Sequence, residues 1–288
     1  MVYLKSFCLV DEMDELKIIS EKKNIYNSLW PLKIFTGKCL SHINFEPITI
    51  FYGGNGSGKT TLLNIIASKL HASSNNNVKF GELFGNYVIC CKEEMCLDLP
   101  SEIKLILSDD VFDYLIDVRA INSCVNRRKD VLGDEYLHYK YNQMSDNSFA
   151  TYDELRNKVD ANKMTMSRYI RSRLKNNNIV QESNGETALS FWQEEIKEDA
   201  IYIIDEPENS LSAENQLKLK QFIEESARFY NCQFIIATHS PFILSLKDAK
   251  IYDLDEQPVV CKEWTKLKNV RSYYDFFKEN MDNFEKDS

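Results

Sequence analysis

Apolar positions along this chain follow two different periods. Apolar runs at Ile48-Thr49-Ile50-Phe51-Tyr52, Ala200–Ile204 and Phe234–Thr238 predict buried strands, and Lys250–Leu254 predicts one more strand. A stretch from Asp109 to Lys175 instead has helical periodicity and many charges. Within it, Val111, Tyr114, Leu115, Val118 and Ile121 share one face by i, i+3, i+4 spacing. Further helices are expected from about Ala213 to Tyr230 and from Val270 to Glu279. In the first fifty residues, short apolar runs at Val2–Val10, Leu16–Ile19 and Leu32–Phe35 alternate with turns. They predict antiparallel strands leading into Ile48–Tyr52. Tyr87–Cys91 reads as one more buried strand, residues 71–78 as a polar loop, and Asp282–Ser288 as a frayed acidic tail. Strands alternating with helices imply an α/β fold, a mostly parallel sheet with helices on both faces and an inserted helical section.

Composition narrows the class of protein. With 288 residues, 43% of them hydrophobic, the chain can bury one large core or two modest ones. No run approaches the ~20 apolar residues of a membrane span. Met1-Val2-Tyr3-Leu4-Lys5 does not open a leader of the basic-then-apolar kind, so no secretory signal is expected. The eight cysteines show no paired CxxC spacing, and Cys90 and Cys91 sit in an apolar run, as small buried hydrophobes do. Reduced thiols in a cytoplasmic protein are the expectation. A net charge of −9 argues against a uniformly basic nucleic-acid binder but leaves room for a local basic face.

The chemistry starts at Gly53-Gly54-Asn55-Gly56-Ser57-Gly58-Lys59-Thr60-Thr61, a GxxxxGK[ST] phosphate loop between a predicted strand and a predicted helix. Its glycines let successive backbone N–H groups wrap a polyphosphate, and the helix N-terminus adds its positive dipole end. Lys59 is expected at the β- and γ-phosphates, and Thr60 is expected to give its hydroxyl to Mg²⁺. The strand Ile201–Ile204 ends in Asp205-Glu206-Pro207-Glu208. It delivers two carboxylates to the edge of the sheet where ligands of open α/β folds bind. Asp205 is placed to hold Mg²⁺ through water, and Glu206 to polarise the water that attacks the γ-phosphate. Gln233–Thr238 brings His239 to the same edge ahead of a Ser240-Pro241 break, where it can bond the γ-phosphate or the water. Ser183-Asn184-Gly185-Glu186 opens a helix with Ser183 as N-cap and forms a second anion site.

In this order the residues resemble the ATP-binding-cassette ATPases, particularly the soluble branch with the SMC, RecF and overcoming-lysogenization-defect proteins. The resemblance runs over residues 45–65 and 180–256. Gly53–Thr61 matches the Walker A loop, and Ser183, Gly185 and Glu186 fall in the signature loop. Asp205 and Glu206 match the Walker B aspartate and catalytic glutamate, Asn209–Ser212 the D-loop, and His239 the switch histidine. The wording Asp-Glu-Pro-Glu-Asn-Ser-Leu-Ser, then Ala-Thr-His-Ser-Pro, is closer to bacterial "AAA family" ATPases than to transporter subunits. Two features depart from the pattern. The family's lid glutamine is missing after Tyr87–Cys91, where Glu94 stands near its place, and the chain has no long coiled-coil arms.

The resemblance implies one ABC-type ATPase domain over residues 1–288, with 95–185 as an inserted helical lid, binding ATP and Mg²⁺. It also implies a head-to-tail homodimer in which Ser183 and Gly185 cap the partner's ATP, so that hydrolysis works as a switch. DNA repair or phage defence with a separate nuclease or effector is the expected setting, and the nucleotide-binding subunit of a membrane transporter is the alternative. The basic segment 156–175 (Arg156, Lys158, Lys163, Arg168, Arg171, Arg173, Lys175) and Arg127-Arg128-Lys129 have three readings: a solvated helix face, a phosphate-backbone track, or a dock for an acidic partner. Tyr26, Trp30 and Phe35 are candidates for stacking on adenine, with core packing as the competing role.

Overall fold

The computed structural model describes residues 1–20, 29–75, 80–141, 152–174 and 184–285. The chain forms two compact units. Met1–Phe112 joins Asn184–Ser288 in the first, and Asp113–Ser183 is the second.

The first unit begins with strand β1 (Leu4–Cys8) and helix α1 (Glu12–Ser20), followed by β2 (His42–Asn44), β3 (Ile48–Tyr52) and α2 (Lys59–Lys69). A short β4 (Ser73–Ser74), α3 (Glu82–Cys90), β5 (Lys92–Met95) and β6 (Glu102–Ile106) lead into α4 (Ser108–Tyr141). After α5 (Tyr152–Lys163) and α6 (Met166–Arg173) of the second unit, the chain returns with α7 (Asn184–Glu195), β7 (Ala200–Asp205), α8 (Ala213–Phe229), β8 (Gln233–Ala237) and α9 (Pro241–Leu244). It closes with β9 (Lys250–Asp253), β10 (Val260–Cys261), α10 (Lys268–Glu279) and α11 (Met281–Glu285).

Seven strands form the main sheet in the order β10-β9-β3-β8-β7-β6-β4, parallel except for the β10–β9 pair. Every residue of β3, β7 and β8 is buried, as strands covered on both faces require. A second sheet, β2-β1-β5, is antiparallel. Gln233, fully buried at the start of β8, ties the two together. Its Oε1 accepts the N–H groups of Tyr3 and Leu4 at 2.9 and 2.8 Å, and its Nε2 donates to the Leu4 carbonyl at 2.9 Å. A buried amide that meets three backbone groups satisfies itself and fixes the register of β1 against the main sheet. Helix α8 shows its periodicity plainly: Asn215, Leu219, Ile223, Ser226 and Ala227 are its buried positions, and Ser212 caps it by accepting the Asn215 N–H at 3.3 Å.

Three expected strands are corrected. Leu16–Ile19 lies in α1, where Ile18 and Glu15 face inward, and Glu15 accepts the Lys33 N–H at 3.1 Å and the Thr36 hydroxyl at 3.1 Å. Leu32–Phe35 belongs to a turn that ends in a 3₁₀ segment at Thr36–Lys38. Tyr87–Cys90 falls in α3, with Cys91 at its C-cap, and the helix buries Leu83, Phe84, Tyr87 and Val88 at helical spacing. Five apolar residues suit either element, and the preceding Leu83-Phe84 settles the period as helical. The parallel neighbour of β7 on the side away from β8 is therefore β6, and Glu94 lies in the antiparallel sheet, where its carboxylate accepts the Ser6 hydroxyl at 2.9 Å. On α4, Val111, Leu115 and Val118 are buried while Ile121 is exposed.

The second unit has its own small core of Tyr136, Ala161 and Tyr169, with Tyr139 and Met164 against it. Arg173 belongs to this unit's framework. Its guanidinium lies 3.6 Å from the Tyr169 ring centroid and bonds Asp160 at 2.9 Å and Asn157 at 2.7 Å. Among the described residues no helix is long and apolar enough to cross a membrane.

Candidate nucleotide site

Parallel register brings the ends of three strands together. Phe51 of β3 and Asp205 of β7 both pair with Ala237 of β8, so the residues that follow emerge along one edge of the sheet. From β3 the chain turns through Gly53–Gly58 into α2. Gly58 has φ of 100°, and a Cβ there would stand 3.0 Å from Ile34 Cγ2, so only glycine suits this turn. Lys59 is buried and folds back over the loop, donating to the Gly53 carbonyl at 2.7 Å and the Gly54 carbonyl at 3.2 Å.

The Thr60 hydroxyl donates to Asp205 Oδ2 at 2.7 Å. Asp205 is 6% exposed. Burial pushes its carboxyl above the ordinary carboxylate range, partly opposed by the Thr60 bond. Its second oxygen, Oδ1, is buried without a hydrogen-bond partner among the described residues, as is Ser57 Oγ. An orphaned carboxylate oxygen beside a threonine hydroxyl suits a hard divalent cation that keeps most of its water. The residues present therefore fit Mg²⁺.

Glu206 leaves β7 with φ of 48°, a conformation uncommon outside glycine, held by its N–H bond to the Ala237 carbonyl at 2.8 Å. This turns its carboxylate toward the phosphate loop. Oε1 lies 4.0 Å from Lys59 Nζ and 3.5 Å from His239 Nδ1, and Asn209 Nδ2 donates to Oε2 at 3.3 Å. The structure thus brings Lys59, Thr60, Asp205, Glu206 and His239 together. Gly185 and Glu186 lie in the first turn of α7. Ser183 and Tyr26 lie outside the described residues. Phe35 is buried, and Trp30 stacks on Phe84 at 5.0 Å and donates from Nε1 to the Thr61 hydroxyl at 3.3 Å.

Three residues of this edge were not foreseen. Glu208 Oε1 accepts the Thr238 hydroxyl at 2.7 Å and the N–H groups of His239 and Ser240 at 3.1 and 3.2 Å. Asp255, beyond β9, receives the Gly54 N–H on both oxygens, at 3.0 and 2.9 Å. Asn269, in α10, reaches both Tyr52 and His239. Glu208 had a signal in being the second acid after β7. The other two sit in stretches without a motif. Together with Asn55 and Lys268, Asn269 and His239 line a cleft of about 310 Å³ beside the loop.

The family model described as "ABC transporter" matches residues 41–209, more than half of the chain. The chain belongs to the ABC family. A second model, "AAA ATPase domain", matches residues 185–244, which include the carboxylate pair and the histidine. This ABC-type chain is an ATPase: it binds ATP and hydrolyses it. No curated protein matches it. Among solved structures it is similar to the SMC head domain from Thermotoga maritima, at 15% identity, 91% of this chain, 98% of that one and a TM-score of 0.41. It is also similar to a nucleotide-free ATP-binding cassette from an ABC transporter, at 15% identity, 94% and 96% coverage and a TM-score of 0.39. A dimeric ATP-binding cassette in a post-hydrolysis state bound to ADP and Pi shares 15% identity, with 78% and 90% coverage and a TM-score of 0.35.

Proposed function

We propose that this ABC ATPase works as an ATP-dependent dimeric switch, two copies meeting head to tail over two nucleotides. The reading rests chiefly on one observation: Lys59, Thr60, Asp205, Glu206 and His239 converge at a single sheet edge. Thr60 and Asp205 would hold Mg²⁺, which would neutralise phosphate charge there. Gly53, Asn55, Gly56, Ser57 and Gly58 present backbone to the phosphates, Lys59 pairs with their charge, and Thr61 closes the loop. Glu206 orients and polarises the attacking water, and His239 steadies it against the γ-phosphate.

One copy leaves the γ-phosphate open on its outer side. Ser183, Gly185 and Glu186 at the start of the partner's α7 supply a second helix N-terminus there, which desolvates and neutralises it. Closure is then linked to ATP, and opening to hydrolysis. The inserted helical section 95–185 serves as the lid through which the switch acts on what it holds. Exposed Arg156, Arg168 and Arg171 on it offer a track for a nucleic-acid backbone. We place the protein in the cytoplasm, in DNA repair or phage defence with a separately encoded effector.

The Glu206→Gln variant tests the switch, because it binds ATP without activating water. Size-exclusion chromatography with light scattering should show a dimer in MgATP and a monomer in ADP. A monomer under both conditions overturns the reading.

A further inference from the structure

Asn269 is the second residue of α10, far in sequence from every nucleotide motif, yet it holds two ends of the site at once. Its backbone N–H donates to the Tyr52 hydroxyl at 3.1 Å, and its Nδ2 donates to the His239 carbonyl at 3.0 Å. Tyr52 is the last residue of β3, directly before Gly53. His239 follows β8 and faces Glu206 at 3.5 Å. One residue therefore spans the base of the phosphate loop and the histidine that stands beside the candidate catalytic carboxylate.

The His239 backbone is held from both sides. Its N–H goes to Glu208 Oε1 at 3.1 Å, and its carbonyl accepts from Asn269. With both main-chain polar groups fixed, the imidazole keeps only its two side-chain torsions as freedoms. His239 is 42% exposed at its side chain, so packing alone does not immobilise it. The anchor has to come from these backbone bonds. Within α10, Val270 is the buried residue, and Asn269 beside it makes the polar link from this helix to the site.

We propose that Asn269 is a positioning residue for ATP hydrolysis, acting through His239 by fixing its backbone relative to Tyr52 and the phosphate loop. This rests on the reading of His239 as a hydrolytic residue. Displacing such a group by about 1 Å can cost on the order of a hundredfold in rate while leaving ground-state binding intact.

The test is a double-mutant cycle of Asn269→Ala and His239→Ala, with kcat, KM for MgATP and melting temperature measured for each. Asn269→Leu accompanies it, because it is close to asparagine in size, adds no charge, keeps the backbone bond to Tyr52 and loses the donor to the carbonyl. Both Asn269 variants should lower kcat about tenfold or more, with KM within about twofold of the parent. In the His239→Ala background, Asn269→Ala should cost nothing further. An unchanged kcat in the Asn269 variants overturns the proposal, and so does a loss of the same size in both backgrounds. A His239→Ala variant with full activity would remove the hydrolytic role of His239 and this proposal with it, whereas the additive outcome removes the role of Asn269 alone.

Discussion

Glu208 receives the Thr238 hydroxyl at 2.7 Å, and the same oxygen accepts the N–H groups of the next two residues. One buried carboxylate oxygen thus organises the whole turn that carries His239. Ser240 completes it by capping α9 and donating to Gln216 Oε1 at 2.6 Å. Hydrogen bonds to a charged acceptor are worth more than neutral ones, and without Glu208 the buried Thr238 hydroxyl would lose its acceptor, while the Ser240 N–H keeps its bond to Thr238 Oγ1 at 3.0 Å.

Glu208→Ala should therefore lower stability by about 1.5–3 kcal/mol and reduce kcat. Glu208→Gln, which keeps an acceptor oxygen, should lose less of both. Thermal unfolding and steady-state ATP hydrolysis check the ranking.

Asp205 sits under a different constraint. Burial raises its carboxyl above the ordinary range, so the folded protein holds that proton more tightly than the unfolded chain does. The stability this gives is fully present below the unfolded value and is lost as pH rises through the folded one. Asp205→Asn removes the buried charge and leaves an oxygen to accept from Thr60. In the absence of Mg²⁺ and nucleotide, its melting temperature should equal the parent's near pH 3 and exceed it at neutral pH, by ~2–4 °C for each 1 kcal/mol recovered. Hydrolysis should be lost. Melting curves across pH in chelator, paired with an activity assay, decide the point.

The basic faces make a prediction that separates two kinds of arginine. Arg168 and Arg171 are exposed, whereas Arg173 is committed to Asp160, Asn157 and Tyr169. On the proposed nucleic-acid track, neutralising Arg168 and Arg171 together should weaken DNA binding and reduce the slope of log K against log salt by about 1–2. Arg173→Gln should instead loosen the unit 113–183 and lower its resistance to proteolysis. Fluorescence anisotropy at several salt concentrations reads the first effect and limited digestion the second.

The central strands and their chemistry were legible in the sequence for a shared reason. β3, β7 and β8 are buried on both faces, so they appear as largely apolar runs, and each leads within two residues to one whose chemistry stands out: Gly53 after β3, Asp205 and Glu206 at the end of β7, His239 after β8. The periphery was harder. Tyr87–Cys91 is short enough to fit either period, and Leu16–Ile19 forms a helix whose inward Glu15 is held by Lys33 and Thr36, which the local pattern does not contain. Asp255 and Asn269 stayed invisible because Asp255 meets Gly54 and Asn269 meets Tyr52 about two hundred residues away, and the second partner of Asn269, His239, is still 30 residues distant. No spacing rule reports that Asp255 will cap the Gly54 N–H or that Asn269 will meet Tyr52.

The central claim is that each nucleotide site is completed by a second copy of the chain. Lys59→Ala and Ser183→Arg should each abolish hydrolysis alone, one by disabling the phosphate loop and the other by blocking the helix start opposite it. A heterodimer of the two carries one intact loop facing one intact Ser183, so the most direct test is to mix the two variants and measure ATP turnover. Recovery of activity on mixing is the predicted result. Full hydrolysis by the Ser183→Arg variant on its own would contradict the claim.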